Sequence, residues 1–215
     1  MKFAVLLSGC GVYDGSEIGE VVLTLMALED QGIEWDSFAP SRKSLKHVNH
    51  VTQKDMPGEL NVLEEASRIV RGRIADVNDV DFSHYDGLIV PGGFGVVTNL
   101  CDFSVSDMNY TIYPEVDNFL NKAKSRGFPM GFMCIAPILI PRIFQGVSMT
   151  IGNDKEMAGK IEKLGCRHVD CVADDIVIDR DNKVVTTPAN MLAKNLVELR
   201  DGIVKLVGAC QDLVA

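Results

Sequence analysis

Cys134 is the residue whose type and position most strongly suggest covalent chemistry. It follows the apolar run Met130–Met133 and precedes Ile135–Phe144, whose Pro137 is compatible with the first turn of a helix. A thiol between a strand and a helix faces the positive end of the helix dipole, which lowers its pKa and favours the thiolate. The position predicts a nucleophile, although the spacing alone equally allows a small, buried, unreactive cysteine.

A glycine-rich loop offers partners for such a thiol. Pro91–Gly95 follows the strand predicted over Asp86–Val90, and its glycines, Gly92 among them, let the backbone approach a neighbouring group closely. The amides of Gly93 and Ile135 would together hold the oxyanion that forms when the sulfur attacks a carbonyl carbon.

A second glycine turn follows the first predicted strand. Its pattern Gly9-x-Gly11-x-x-x-Gly15 resembles a dinucleotide-binding turn, but no acidic residue ends the second strand cleanly, since Asp36 lies inside it. The lone pattern is a weak indication of nucleotide binding. Cys10 lies in this turn, either as a pocket residue or as a cysteine packed on the sheet.

Apolar runs and amphipathic segments alternate along the chain. Strands are predicted over Phe3–Leu7, Ile33–Phe38, Asp86–Val90, Met130–Met133 and Ser148–Ile151, and a hairpin over Asp175–Ile178 and Lys183–Thr186. Helices are predicted from a cap at Asp14 or Ser16 to Gly32, with Ile18, Val21, Val22, Leu25 and Leu28 buried, and over Asn61–Val70, Glu115–Arg126, Ile135–Phe144, Lys155–Leu164 and Met191–Val207. The alternation predicts one α/β domain over residues 1–215, with a doubly wound, mostly parallel sheet and helices on both faces.

Composition excludes several classes of function. The net charge of −9 disfavours nucleic acid and anionic membrane surfaces, both of which require a basic face. The six cysteines form no C-x-x-C pair, which predicts free thiols, a reducing compartment and no metal site; we expect a cytoplasmic protein. His47 and His50 fall in the polar stretch 40–58, which could contain a small hairpin, and 99–114 is a second irregular stretch.

Several motifs together resemble one family. Ser8–Ile18, Pro91–Gly95, Gly131–Pro137, Asp174–Val177 and Val185–Ala189 are similar to segments of the enhancing-lycopene-biosynthesis family, also called isoprenoid-biosynthesis glyoxalases. This family lies in the PfpI-type branch of the class I glutamine amidotransferase-like superfamily. The motifs keep their order over nearly the whole chain, so the five motifs together are more specific than any one of them alone.

The resemblance implies a flavodoxin-like fold, a nucleophilic Cys134 and a carboxylic acid from the first helix beside the sulfur. In PfpI-type relatives that glutamate lies about three helical turns before the glycine ending the helix. The spacing from Glu20 to Gly32 fits, which favours Glu20. Glu17 lies three residues earlier on the same helix and is the alternative partner.

The chain also departs from related enzymes. Glutamine amidotransferases need a histidine and an acid after the cysteine, and PfpI-type peptidases often place histidine directly after it. Here Ile135 follows Cys134, and the only downstream histidine is His168, within a predicted strand. Glutaminase and peptidase activities are therefore not expected.

The resulting prediction is a glyoxalase III-like lyase that needs no glutathione, metal or other cofactor. It would convert small 2-oxoaldehydes such as methylglyoxal and glyoxal to 2-hydroxy acids through a hemithioacetal on Cys134. One alternative is a redox or stress sensor in which Cys134 is oxidised, and another is a non-catalytic partner protein of isoprenoid metabolism. Related proteins often associate, so a homodimer is the assembly that the resemblance suggests.

Overall fold

A seven-stranded sheet forms the centre of the computed structural model, which describes residues 1–214. The strands of the chain are β1 (Lys2–Leu6), β2 (Glu34–Ala39), β3 (Val48–Asn49), β4 (Lys54–Asp55), β5 (Ile74–Asp76), β6 (Gly87–Val90), β7 (Met130–Met133), β8 (Ser148–Met149), β9 (Arg167–His168), β10 (Val177–Asp179) and β11 (Val184–Thr187). The central order is β10-β11-β7-β6-β1-β2-β5, and every pair is parallel except β10 with β11. This confirms the predicted α/β class.

Helices cover both faces of the sheet. They are α1 (Ile18–Asp30), α2 (Val62–Ile69), α3 (Phe103–Ser106), α4 (Pro114–Ser125), α5 (Ile140–Ile143), α6 (Lys155–Lys163) and α7 (Leu196–Asp212). Successive residues of β1 point to opposite faces, with Ala4 and Leu6 in one buried cluster and Phe3 and Val5 in the other. The first cluster packs under α4, α5 and α6, and the second under α1, α2 and α7.

The first helix begins later than predicted and presents a different face. Glu17, not Asp14 or Ser16, caps α1 by accepting a hydrogen bond from the amide of Glu20 at 2.6 Å. Ile18 and Val22, predicted to be buried, are exposed. The side chains that face the core are Glu20, Val21, Thr24, Ala27 and Leu28.

Two further helices differ from the prediction for local reasons. The segment after Cys134 forms a 3₁₀ turn over Ala136–Leu139 and then α5, because Pro141 has no N–H to continue a regular helix. The last helix starts at Leu196, where Asn195 Oδ1 accepts from the amides of Val197 and Glu198, both at 3.0 Å.

The two irregular stretches contain short elements of regular structure. The first contains the hairpin of β3 and β4, which confirms the small hairpin considered for residues 40–58. A π-type turn at Val96–Leu100 leads into the second stretch, which contains α3. Two strands, β8 and β9, pair separately as a small parallel sheet. Among the helices of residues 1–214, none is both long and apolar enough to cross a bilayer.

Candidate active site

Cys134 lies on a strained turn at the carboxyl end of β7. Its φ of +57° is in the left-handed region, which is uncommon for a residue other than glycine and marks a sharp elbow between strand and helix. The Cys134 amide donates to the carbonyl of Thr187 in β11 at 3.1 Å, which fixes the turn against the neighbouring strand.

The electrostatics of the thiol differ from the expectation. Only 7% of Cys134 is exposed, and this burial raises the pKa of the thiol well above its usual value. The prediction of a pKa lowered by the helix dipole is therefore wrong. The 3₁₀ turn that follows supplies few aligned peptide dipoles, whereas burial penalises the thiolate directly.

Glu20 is the carboxyl group that faces the sulfur. Its side chain is fully buried; Oε2 accepts from the amide of Gly92 at 2.7 Å, and Oε1 accepts from the amide of Asn190 at 3.3 Å. Burial raises the pKa of Glu20 to about 7, and the charge of Glu17 adds to the rise, while the two amides oppose it. The carboxyl group is thus poised to gain or lose a proton near neutral pH beside Cys134.

Glu17 serves the helix rather than the sulfur. Besides accepting from the Glu20 amide, its Oε2 accepts from Asn190 Nδ2 at 2.9 Å. Of the two glutamates considered from the sequence, the structure thus brings Glu20 to the thiol. Glu17 instead contacts the backbone of Glu20 and the side chain of Asn190.

The glycine loop is packed against both the cysteine and the first turn. A Cβ atom at Gly92 would lie 2.5 Å from the Cβ of Cys134, so only glycine fits there without displacement. Gly93 has a φ of +101°, and a Cβ atom on it would lie 2.5 Å from the amide nitrogen of Glu17. The amides of Gly93 and Ile135 both point at the sulfur, where they favour its charged form. These are the two amides predicted for oxyanion stabilisation.

A cavity of about 460 Å³ lies over the sulfur. Its walls come from the first glycine turn, the loop after β6, the two irregular stretches, α6 and the turn after β11. The lining residues are Val12, Tyr13, Lys46, Gly93, Phe94, Val97, Thr98, Phe103, Ser104, Cys134, Ile135, Met157 and Met191. Both irregular stretches therefore contribute to the pocket.

The other cysteine and histidine candidates lie elsewhere. Cys10 is half-buried near Glu65 and Arg68 of α2 and is not part of the cavity wall. His168 is in β9, where its Nε2 faces the amide of Ile151 at 3.5 Å. His50 stacks on Tyr13 with ring centroids 5.1 Å apart. Within residues 1–214 no three His, Cys, Asp or Glu side chains are grouped as metal ligands would be.

The first glycine turn is closed by its own backbone. The amide of Gly15 donates to the carbonyl of Gly11 at 2.7 Å, and that of Gly11 to the carbonyl of Ser16 at 2.9 Å. The loop after β6 packs onto it, with the amide of Phe94 donating to the carbonyl of Val12 at 2.8 Å. The amides of Gly11, Gly15 and Phe94 thus donate to backbone carbonyls of the protein itself, whereas a phosphate-binding turn would direct its amides at the ligand.

Two asparagines that the sequence did not single out organise the site. Asn190 joins Glu17 and Glu20, as described above.

Asn99 is fully buried in the π-type turn; its Nδ2 donates to the carbonyls of Ser8 and Asp14, both at 2.9 Å. Its Oδ1 accepts from the Ser44 hydroxyl at 3.2 Å and the Leu45 amide at 3.1 Å. The only sequence signal for Asn190 was its place after a strand at the same sheet edge.

A cysteine elbow, a buried glutamate beside the thiol and a mostly parallel sheet are the features of a glutamine amidotransferase-like protein. The chain is 38% identical to the human "glutamine amidotransferase-like class 1 domain-containing protein 3, mitochondrial", over 96% of this chain and 81% of that protein. It therefore belongs to the family of glutamine amidotransferase-like class 1 domain-containing proteins and ES1 proteins. No protein-family model matches the chain.

Solved structures agree with this assignment. An isoprenoid biosynthesis protein with an amidotransferase-like domain from Ehrlichia chaffeensis is 31% identical, with a TM-score of 0.92 over 99% of both chains. DJ-1β of Drosophila melanogaster is 16% identical, with a TM-score of 0.55 over 99% of this chain and 94% of that one, and shares the fold alone. The predicted resemblance and the flavodoxin-like fold are thus confirmed.

The predicted cytoplasmic location is wrong by the same comparison. The human, rat and zebrafish relatives are each named as mitochondrial proteins. The prediction rested on the six cysteines, which are all free in the structure as expected. Those features fit any compartment that keeps thiols reduced, and so they do not distinguish one such compartment from another.

Proposed function

We propose that this chain is a glutathione-independent glyoxalase that converts 2-oxoaldehydes to 2-hydroxy acids. One observation carries the proposal: the Glu20 carboxyl group and the amides of Gly93 and Ile135 converge on the Cys134 sulfur beneath an open cavity. This arrangement offers a nucleophile, a group that moves protons and two oxyanion donors at one point, which are the parts such a reaction needs.

The first step is the addition of sulfur to the aldehyde carbon. Because burial keeps the thiol protonated, Glu20 as carboxylate accepts its proton while the new C–S bond forms. The aldehyde oxygen becomes an oxyanion beside the amides of Gly93 and Ile135, and the proton held by Glu20 then passes to it. The product is a hemithioacetal, and Glu20 is again ionised.

The second step moves hydrogen between the two carbons. Glu20 removes the proton from the carbon that carries sulfur and delivers it to the ketone oxygen, giving an enediol. It then takes the proton of the hydroxyl group on the sulfur-bearing carbon and returns it to the adjacent carbon. The first carbon is thereby oxidised to a thioester and the second reduced to an alcohol, with no external redox partner. Water then cleaves the thioester, which releases the 2-hydroxy acid and restores the thiol. A pKa of about 7 suits both directions of proton transfer at neutral pH.

The two alternatives have less support from the site. A redox sensor generally exposes a low-pKa thiolate, whereas the Cys134 thiol is buried and its pKa is raised. A non-catalytic partner protein does not require a buried, partly protonated carboxyl group beside a thiol. A mitochondrial setting and a link to isoprenoid synthesis follow the relatives' printed names and belong to the proposal.

Lactate formation from methylglyoxal without glutathione tests the proposal. We expect turnover by the wild-type chain, and a loss of at least about a hundredfold in Cys134→Ala and Glu20→Gln. Cys171→Ala removes a half-buried cysteine outside the cavity wall and is expected to keep full activity. Turnover retained in Cys134→Ala, or none in the wild type, contradicts the proposal.

A further inference from the structure

The cavity over Cys134 is larger than a three-carbon substrate requires. Its volume is about 460 Å³, within the range of about 300–1,000 Å³ that is typical of pockets for drug-sized ligands. Methylglyoxal has five heavy atoms and, at roughly 30 Å³ for each water-sized group, fills about a third of this space. The carbonyl chemistry needs only the floor, where Cys134 and its amide donors lie.

The walls above that floor are mainly apolar. Val97, Ile135, Phe94 and Phe103 supply much of this apolar lining. Phe94 is 53% exposed, although it is a large aromatic side chain. Lys46 is the one charged side chain in the lining. Apolar walls favour a ligand that carries apolar surface out of water.

The lining combines a rigidly held aromatic side chain with adaptable ones. The Phe103 ring packs edge-on against Tyr110 with centroids 5.2 Å apart, and Tyr110 is itself buried with its hydroxyl donating to the carbonyl of Ile138. Met157 and Met191 supply the unbranched, polarisable side chains of the lining, and such side chains adapt to ligands of different shape. The cavity can therefore accept apolar groups of several different shapes.

We propose, resting on the function proposed above, that the preferred substrates are 2-oxoaldehydes whose ketone carbon bears an apolar group of about six carbons or a ring. The dicarbonyl end meets Cys134 and the apolar group occupies the space between Phe94, Phe103 and the methionines. Methylglyoxal is then the smallest substrate, and it leaves most of the apolar lining without ligand contacts.

A matched pair of chloroketones tests this ligand class without requiring turnover. Chloroacetone carries a methyl group and 1-chlorooctan-2-one a hexyl group on the same reactive unit. In both, the Cys134 sulfur displaces chloride from the adjacent carbon, forming a thioether and releasing the thiol proton. Peptide mass spectrometry measures alkylation at Cys134, with Cys134→Ala reporting background, and glutathione gives the intrinsic rate ratio of the two reagents.

The expected result is a hexyl-to-methyl rate ratio on Cys134 about a hundredfold above that on glutathione. Ser104 lies exposed at the cavity rim, so Ser104→Trp is expected to abolish the preference by filling the mouth. Ser125→Trp, at the exposed end of α4 that leads into the amino end of β7 and outside the cavity lining, should retain it. A wild-type ratio equal to that of glutathione overturns the inference.

A second measurement uses only the wild-type chain and so covers the case in which Ser104→Trp does not fold. Octan-2-one should protect Cys134 from iodoacetamide at concentrations about a hundredfold below those of acetone, and equal protection by the two ketones overturns the inference. Selective alkylation without any lactate formation contradicts the glyoxalase reaction alone. Lactate formation without hexyl selectivity contradicts the ligand class alone.

Discussion

The amide of Gly92 donates a 2.7 Å hydrogen bond to Oε2 of Glu20, so the glycine loop holds the carboxyl group that faces the sulfur. The same residue has no room for a side chain. A Cβ atom there would lie 2.8 Å from Oε2 of Glu20 and 3.0 Å from Sγ of Cys134. Gly92 therefore sets the separation between carboxyl group and thiol from the backbone side.

Gly92→Ala is expected to lower turnover about a hundredfold while leaving a folded chain. The added methyl group must push Glu20 and Cys134 apart, and a displacement of about 1 Å costs on the order of a hundredfold in rate. Overpacking should also lower the free energy of unfolding by about 1–3 kcal/mol. Methylglyoxal turnover and denaturant unfolding measure the two effects.

Gly159→Ala is the matched control, because Gly159 lies in α6 and a Cβ atom on it meets no other atom within 4 Å. That change should leave turnover unchanged and raise the free energy of unfolding by up to about 1 kcal/mol. Full activity in Gly92→Ala would show that the separation is not set there.

The buried carboxyl group should make stability depend on pH. The Glu20 pKa rises from 4.5 in the ordinary state to about 7 in the fold, so the folded chain holds a proton that the unfolded chain releases. Its stabilising contribution is complete below pH 4.5 and is lost as pH rises toward 7. At about 1.4 kcal/mol per pH unit, the loss is on the order of 3 kcal/mol.

Glu20→Gln removes this loss because the amide never ionises. We expect the variant to melt roughly 5–10 °C above wild type at pH 8 and to differ much less at pH 5. Calorimetry at both pH values measures the difference. Glu162→Gln, on the exposed face of α6, should show no such pH dependence. An equal shift at both pH values would contradict a raised pKa at Glu20.

Ionisation of Glu20 should also determine how the rate depends on pH. Glu20 must be ionised to accept the thiol proton, so kcat/KM is expected to rise about tenfold per pH unit below pH 7 and to level off above it. Asn190→Asp places a carboxylate against Glu17, at a residue whose backbone amide donates to Glu20, and the added negative charge is expected to raise the Glu20 pKa further and move the inflection to higher pH.

Asn190→Ala is the control for that shift. It removes the side chain but keeps the backbone amide that donates to Glu20, so the inflection should stay close to its wild-type position. Because residue 190 is exposed, both variants are expected to fold. An inflection that does not move in Asn190→Asp would argue against Glu20 as the titrating base.

Asn99 should contribute strongly to stability. Asn99→Leu leaves the carbonyls of Ser8 and Asp14 and the amide of Leu45 without their partner in a buried region, at a cost of at least about 2 kcal/mol. Denaturant unfolding measures the loss. Asn121→Leu, an exposed position on α4, should change stability by less than about 0.5 kcal/mol. Similar effects at the two sites would contradict a bridging role for Asn99.

Local patterns were sufficient for the elements nearest the candidate site. The apolar run Met130–Met133 followed by cysteine predicted β7 and its elbow, and the Glu20 to Gly32 spacing pointed to the glutamate that faces the thiol. The first feature depends on residues close in the sequence, which a single chain displays. The second depends on the glutamate-to-glycine spacing of the PfpI-type relatives that the chain resembles, because helix periodicity alone left both Glu17 and Glu20 as candidates.

The orientation of α1 could not be predicted in the same way. Its apolar residues alone favoured burying Ile18 and Val22, but Glu20 turns inward to meet Gly92 and Asn190. Those partners lie 72 and 170 residues away along the chain. The four bonds of Asn99 likewise join segments that are distant in sequence, and the direction of the Cys134 pKa depended on burial that only the packed structure reveals.

At position 134 the left-handed backbone creates a conflict between stability and reactivity, because the residue that fits the turn best is not the residue that can react. Glycine would adopt a φ of +57° at little cost, so the most comfortable residue for this turn is one that carries no reacting atom. Selection for thermal robustness alone would therefore drift toward an inert chain with the same outline. A cysteine kept at this strained position therefore distinguishes a chain that retains the reactive group from one that retains only the fold.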